Sequence, residues 1–162
     1  PTPAGDPPPP VPATAARYGV PYVAMHMKGD PRTMQTLTDY KRDITAEVTA
    51  YFETKTADLL AAGIKRENII LDPGFGFAKT TEQNYELLAG LHCLCALGYP
   101  VLAGLSRKSM IYKLLGTTPA EALNGTTALH WECLRQGAAI LRVHDTREAV
   151  EVVRMFDQFM QA

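Results

Sequence analysis

The chain has 162 residues, 46% of them hydrophobic and 20% charged, which suits one domain of ordinary size with a buried core. Sixteen Lys and Arg stand against 17 Asp and Glu, a formal charge of -1. That balance excludes a bulk field for nucleic acid or an acidic membrane, so any anion must be captured by a local site.

Residues 1–14 open the chain as a Pro-rich segment, with four successive prolines from Pro7 to Pro10. Such a run favours extended geometry and cannot enter a helix or a central strand. The segment is expected to be a linker or irregular N-terminus, and residues 15–162 one domain.

From there a pattern recurs: a short apolar run, a polar or glycine-rich turn, then a helix. The first run is Pro21–Met25. Helical spacing of Ile44, Val48, Tyr51, Phe52 and Leu59 follows, with Gly63 as a stop. The second run is Asn68–Leu71. After it, Thr80 and Gln83 form a capping box before the stripe Leu87, Leu88, Leu91, Leu94 and Cys95, which ends at Gly98. The third run is Pro100–Ala103. Thr118, Pro119 and Glu121 then mark a helix start, in a region closed by Gly137 and expected to break at Gly125. The fourth run, Ala139–Val143, precedes a helix lined by Ala149, Val153, Phe156 and Met160. Short, nearly continuous apolar runs suit parallel strands covered on both faces. Their alternation with helices predicts an α/β fold of four consecutive βα units.

Cys93, Cys95 and Cys133 are too few, and odd in number, for a disulfide framework, and fit a reducing cytosol. A metal at His92, Cys93 and Cys95 is disfavoured, because helical residues two apart face different ways. No run approaches the roughly 18 apolar residues of a membrane span, and the N-terminus lacks the regions of a secretory leader. A cytoplasmic protein without nucleic-acid or membrane partners is expected.

Parallel α/β folds place their sites at the carboxyl ends of the strands. Here all four ends carry unusual chemistry: Met25-His26-Met27-Lys28-Gly29-Asp30-Pro31, Asp72-Pro73-Gly74-Phe75-Gly76-Phe77-Ala78-Lys79, Gly104-Leu105-Ser106-Arg107-Lys108-Ser109, and Arg142-Val143-His144-Asp145. A purely structural sheet has no need of this on one rim.

Asp72 follows three apolar residues, so its carboxylate must be satisfied by partners. It either caps the turn of Pro73-Gly74 or accepts adjacent N–H groups from a ligand edge. Gly74 and Gly76 allow close approach to a flat ligand on which Phe77 can stack. Arg107 and Lys108 are either an exposed ion-pairing face or, for Lys108, a donor to a ring carbonyl. Ser109, at a helix start, suits a carboxylate. Arg142 ends an apolar run, where a buried guanidinium would require an anion or an aromatic face. It pairs with Asp72 or Asp145 as pure structure, or with His144 cradles a diphosphate. His26, between two methionines, reads as a core histidine.

These four motifs, in this order and spacing, resemble the successive signatures of the dihydropteroate synthases, a pterin-binding enzyme family, from about Ala15 onward. The resemblance implies an eight-stranded (β/α) barrel of which this chain forms the last four units. It implies condensation of a dihydropterin pyrophosphate with p-aminobenzoate, through a delocalised pterin cation formed as diphosphate departs. By motif position, Asp72 would bind the pterin's N–H edge, with Met25, Phe77, Gly104, Lys108 and Arg142 around the ring. Phe77, Lys108 and Ser109 would lie toward p-aminobenzoate, and Arg142 with His144 would hold the diphosphate. Lys108, Arg142 and His144 are the expected catalytic residues. The family also implies Mg2+, whose ligand region, an early-strand Asn, has no counterpart in this chain; no metal ligand is expected here. A homodimer is implied for the complete enzyme. Two alternatives share the pterin or the fold: a pterin-dependent methyltransferase domain, and a catalytically incomplete half-barrel.

Overall fold

The computed structural model describes residues 11–29, 38–40 and 43–162. Residues 1–10, with the four-proline run, and Asp30 and Pro31 of the first motif lie outside the described residues. Residues 11–14, expected to belong to a linker or irregular N-terminus, are helical instead: α1 spans Val11–Tyr18. Pro12 enters it without cost, because an N–H in the first turn has no intrahelical partner.

In chain order follow β1 (Tyr22–Met25), α2 (Ile44–Ala61), β2 (Ile69–Asp72), α3 (Thr81–Ala89), α4 (Leu91–Cys95), β3 (Leu102–Ala103), α5 (Ser109–Tyr112), α6 (Leu123–Arg135), β4 (Ile140–Leu141) and α7 (Thr146–Met160). The chain is therefore α/β, as its alternating pattern predicts. β1 pairs with β2 and β3 with β4, both parallel, and a parallel bridge between Leu71 and Val101 joins the two pairs.

α2 starts because Asp43 caps it, accepting from the Ala46 N–H at 2.9 Å. It stops at Gly63, whose φ of +88 lets the chain turn. The capping box of α3 forms in both directions, Gln83 N to Thr80 Oγ1 at 3.2 Å and Thr80 N to Gln83 Oε1 at 2.9 Å. The single stripe expected through Cys95 divides at Gly90 into α3 and α4. Here α2 passes so close that a Cβ would stand 2.5 Å from Thr45 Oγ1. Gly125 does not break its helix. It lies inside α6, and the helix begins instead after a 3-10 turn at Pro119–Glu121.

The core forms between helices and one face of the strands. Val48, Phe52 and Leu59 of α2, with Leu87, Leu91 and Leu94, pack on Ile69, Leu71, Val101 and Ala103. Coverage of both faces, expected from the apolar runs, is not what the described residues show. Residues of opposite parity, beginning with Val23 at 44% exposed, face an open side. No helix among the described residues is long and apolar enough to cross a membrane.

Candidate active site

Register determines what that open face presents. Paired residues share a face of a sheet and alternate along each strand. Val23 pairs with Ile70, Met25 with Asp72, and Leu102 with Ile140. The next positions on that face are Gly104 and Arg142; a Cβ built on Gly104 would sit 3.7 Å from Arg142 Cβ. Met25, Asp72, Gly104 and Arg142 thus stand at the carboxyl ends of successive strands, on one side of the sheet.

The loop after β2 folds tightly over this rim. Gly74 has φ +68, and a Cβ there would fall 2.0 Å from the His26 carbonyl oxygen. Asp72 Oδ1 accepts the Gly74 N–H at 2.8 Å, so the turn-capping role is real. It occupies only part of a carboxylate with about four acceptor positions. Burial pushes the Asp72 carboxyl above its ordinary range, against the Gly74 N–H and the positive fields of Lys108, Lys79 and Arg142, which lower it.

Lys108 extends from the loop after β3. Its ammonium donates to the Phe75 carbonyl at 2.5 Å and lies 4.5 Å from the Phe77 ring centroid, a cation–π distance. Burial, opposed by Asp72 and reinforced by Arg142, lowers Lys108 to about 8. Gly76 leaves room for its stem, since a Cβ there would meet Lys108 Cδ at 3.3 Å. Ser109 opens α5 beside it, half-buried.

Arg142 is exposed. The expectation that burial forces it onto a partner is therefore corrected; no element among the described residues covers its face. Nor does it pair with Asp145. Arg107 takes that carboxylate in a two-pronged contact, Nε to Oδ2 and Nη2 to Oδ1, both at 2.8 Å. Arg107 also donates to the Pro119 carbonyl at 2.7 Å and to that of Ala120, at a φ of +53. His144, exposed, stands by the same loop: its backbone N–H donates to Ser106 Oγ at 3.2 Å, and its Nδ1 lies 3.0 Å from that oxygen. Ser106 is 2% exposed. His26 is buried, as the core reading expects, with Tyr51 edge-on to its ring at 4.9 Å.

Sequence reasoning assigned no role to Lys79, Asn84 or Ser106. Lys79 is 5% exposed, and its ammonium touches Gly74 O, Phe77 O and His26 Nδ1. Asn84 Oδ1 accepts the Gly76 N–H at 2.7 Å. The available signal was a lysine closing a glycine-rich, otherwise apolar stretch, where a cation needs partners.

The rim offers a carboxylate with free acceptor positions, a half-buried ammonium over an aromatic ring, small residues beneath, and an exposed guanidinium at one side. This arrangement suits a flat heterocycle with an N–H edge, a ring carbonyl and an anionic substituent.

Residues 4–144 match the family described as pterin binding enzyme. The dihydropteroate synthase of Escherichia coli K12 is 45% identical over 148 residues, covering 91% of this chain and 52% of that protein. A solved dihydropteroate synthase from Thermus thermophilus, in complex with 4-aminobenzoate, aligns with a TM-score of 0.85 at 44% identity, over 91% of this chain and 57% of that one. The Yersinia pestis enzyme, in a sulfonamide complex, aligns with a TM-score of 0.89 at 38% identity, over 93% and 55%. The chain spans about half the length of the curated relatives it matches.

Proposed function

Since this chain belongs to the pterin binding enzyme family, we propose that it carries the site of a dihydropteroate synthase. The reaction joins 6-hydroxymethyl-7,8-dihydropterin pyrophosphate to p-aminobenzoate and yields 7,8-dihydropteroate and diphosphate in folate biosynthesis. The observation that carries this reading is the register that sets Asp72 and Arg142 at the carboxyl ends of parallel strands on one open side of the sheet, with the Lys108 ammonium held over the loop after β2 at the Phe75 carbonyl and the Phe77 ring.

Asp72 accepts the pterin's amino and ring N–H groups through the acceptor positions that Gly74 leaves free. Lys108 donates to the ring, with Met25, Phe77 and Gly104 lining the pocket. Arg142 lies against the pterin and, with His144, holds the diphosphate. Phe77, Lys108 and Ser109 face p-aminobenzoate. The chain supplies no covalent nucleophile in this scheme. As the C–O bond to diphosphate breaks, Arg142 and His144 stabilise the leaving anion, and the fixed pterin presents its cation to the arylamine nitrogen. That nitrogen forms the new C–N bond and loses a proton.

The fold completes the reading as half of a (β/α)8 barrel: four parallel strands in chain order, from a chain about half its relatives' length, support it. A cytoplasmic setting is supported by three cysteines standing unpaired. A homodimer of the complete enzyme is part of the reading, with Met155, Phe159 and Met160 as exposed apolar surface on α7. The described residues do not assemble three or more metal-ligating side chains that would hold the implied Mg2+, and no step here runs through it.

Binding of labelled p-aminobenzoate in the presence of the pterin pyrophosphate, with a corrinoid as control, tests the reaction against pterin-dependent methyl transfer. Corrinoid binding without p-aminobenzoate binding would reverse the assignment. The half-length match favours a second reading, a half-barrel that is catalytically incomplete alone. Complementation of a synthase-deficient strain, with and without the remaining barrel half supplied separately, decides between them. Rescue by this chain alone removes the second reading, and failure of both halves together removes the first.

A further inference from the structure

Lys79 is among the most deeply buried charged groups described, at 5% exposed. Three atoms surround its ammonium: the carbonyl oxygens of Gly74 and Phe77, each at 3.0 Å, and His26 Nδ1 at 3.1 Å. An ammonium has three protons and no acceptor, so donor and acceptor numbers match. His26 Nδ1 then accepts, and its proton resides on Nε2. The ring is held in place by Tyr51, edge-on at 4.9 Å, and by Tyr40 at 6.2 Å. The Tyr40 hydroxyl itself donates to the Ala78 carbonyl at 2.9 Å.

What Lys79 grips is the frame of the site. The carbonyls of residues 74 and 77 bracket Phe75, which receives Lys108, and Gly76, whose N–H is taken by Asn84. His26 lies at the exit of β1, where its carbonyl meets Gly74. One side chain thus ties the β2–α3 loop to the neighbouring strand, while its charge lies within the field of Asp72. A purely structural tie has no need of a buried cation; an apolar side chain closes such a loop without that desolvation cost.

We propose that Lys79 is a positioning residue of the site: it fixes the Asp72–Lys79 loop in the shape that receives the ligand ring and, through Gly74, whose carbonyl it holds and whose N–H Asp72 accepts, sets its positive charge beside the carboxylate that takes the ligand's N–H edge. The proposal rests on the pterin-binding reading of Asp72 given above. The charged and titratable groups that bear on Lys79 are His26 from the exit of β1, Asp72 from β2, Lys108 from the loop after β3, and Lys28 beyond β1. Burial first, then Lys108 and Lys28, lower Lys79 to about 7, while Asp72 raises it.

The test compares the wild-type chain with Lys79→Met and Lys79→Arg by carbon-13 titration of the Asp72 carboxyl and by calorimetry with 6-hydroxymethyl-7,8-dihydropterin pyrophosphate. Lys79→Met is expected to raise the Asp72 midpoint by about one unit and to weaken pterin binding about tenfold or more. Lys79→Arg keeps the charge and leaves the Asp72 midpoint near wild type. A merely structural lysine would not separate the two variants by carboxyl titration. An Asp72 midpoint unmoved by Lys79→Met overturns the proposal. If wild-type chain binds no pterin, the site reading fails, while the ligand-free titration still decides the role of Lys79. Should Lys79→Met not fold, nitrogen-15 spectra of wild-type His26 at pH 5.5 decide. A bare Nδ1 with protonated Nε2 upholds the contact, and a protonated Nδ1 overturns it.

Discussion

Gly74→Ala is the most informative single substitution in the frame of the site. The methyl group would stand 2.0 Å from the His26 carbonyl oxygen and 3.2 Å from its carbon. Relief requires β1 and the loop to part by about 1 Å. That movement stretches the bond from the His26 N–H to the Asp72 carbonyl, 2.9 Å long, and the bond from Lys79 to the Gly74 carbonyl. Two costs add. Holding alanine at φ +68 costs about 1–2 kcal/mol, and forcing an atom into packed backbone costs about 1–3 kcal/mol. The expected loss is about 2–5 kcal/mol in urea unfolding, together with loss of pterin affinity. Gly63→Ala separates the two terms, because Gly63 has φ +88 but its nearest neighbour would be Ala16 Cβ at 3.7 Å. It should cost only about 1–2 kcal/mol. Equal destabilisation by the two variants would refute the close-approach argument.

Other expectations follow from the same contacts. Asp72→Asn should weaken binding of the dihydropterin pyrophosphate by about 2–4 kcal/mol, because an amide mispairs the ligand's N–H groups. Burial raises the folded Asp72 carboxyl above its unfolded value, so ionisation destabilises the empty protein as pH rises above that value. The same variant should therefore melt higher at pH 7 without ligand, and a lower melting temperature would contradict this. Lys108 is lowered by burial to about 8 from an ordinary 10.5, so the folded chain loses that proton first. Stability should rise with pH between those values while pterin affinity falls, and calorimetry on Lys108→Met should show the affinity trend abolished. Gly125→Ala places a Cβ 2.6 Å from Ile111 Cγ2 and 3.1 Å from Leu115 Cδ1. Overpacking of about 1–3 kcal/mol should outweigh the helix-propensity gain of about 1 kcal/mol, and a thermal melt at or above wild type would show otherwise.

Much of the fold was legible because local chemistry decided it. The Thr80–Gln83 box and the Gly63 stop fall where the spacing puts them. What sequence could not reveal was contact between distant elements. Gly90 divides a continuous apolar stripe because Thr45 of α2 crosses there, and Gly125 stays helical because Ile111 packs on its bare face. The apolar runs could not report that one sheet face is open, because apolar content alone cannot distinguish a face covered by helices from one left uncovered. For the site, period-2 alternation placed Met25, Asp72, Gly104 and Arg142 on one side once register was known. The partner of Asp145 was not legible, since Arg107 reaches it across 38 residues. Lys79 escaped notice because the contact that ties its loop to the neighbouring strand, His26, lies 53 residues away, and burial is a property of the fold.

The most direct measurement compares two ligands on two variants by calorimetry: 6-hydroxymethyl-7,8-dihydropterin and its pyrophosphate, on Asp72→Asn and Arg142→Ala. A rim shared by a pterin acceptor and an anion holder predicts that Asp72→Asn weakens both ligands alike. Arg142→Ala should abolish most of the preference for the pyrophosphate while sparing the bare pterin. Equal losses for both ligands at Arg142, or none at Asp72, would contradict the assignment of these side chains to one site.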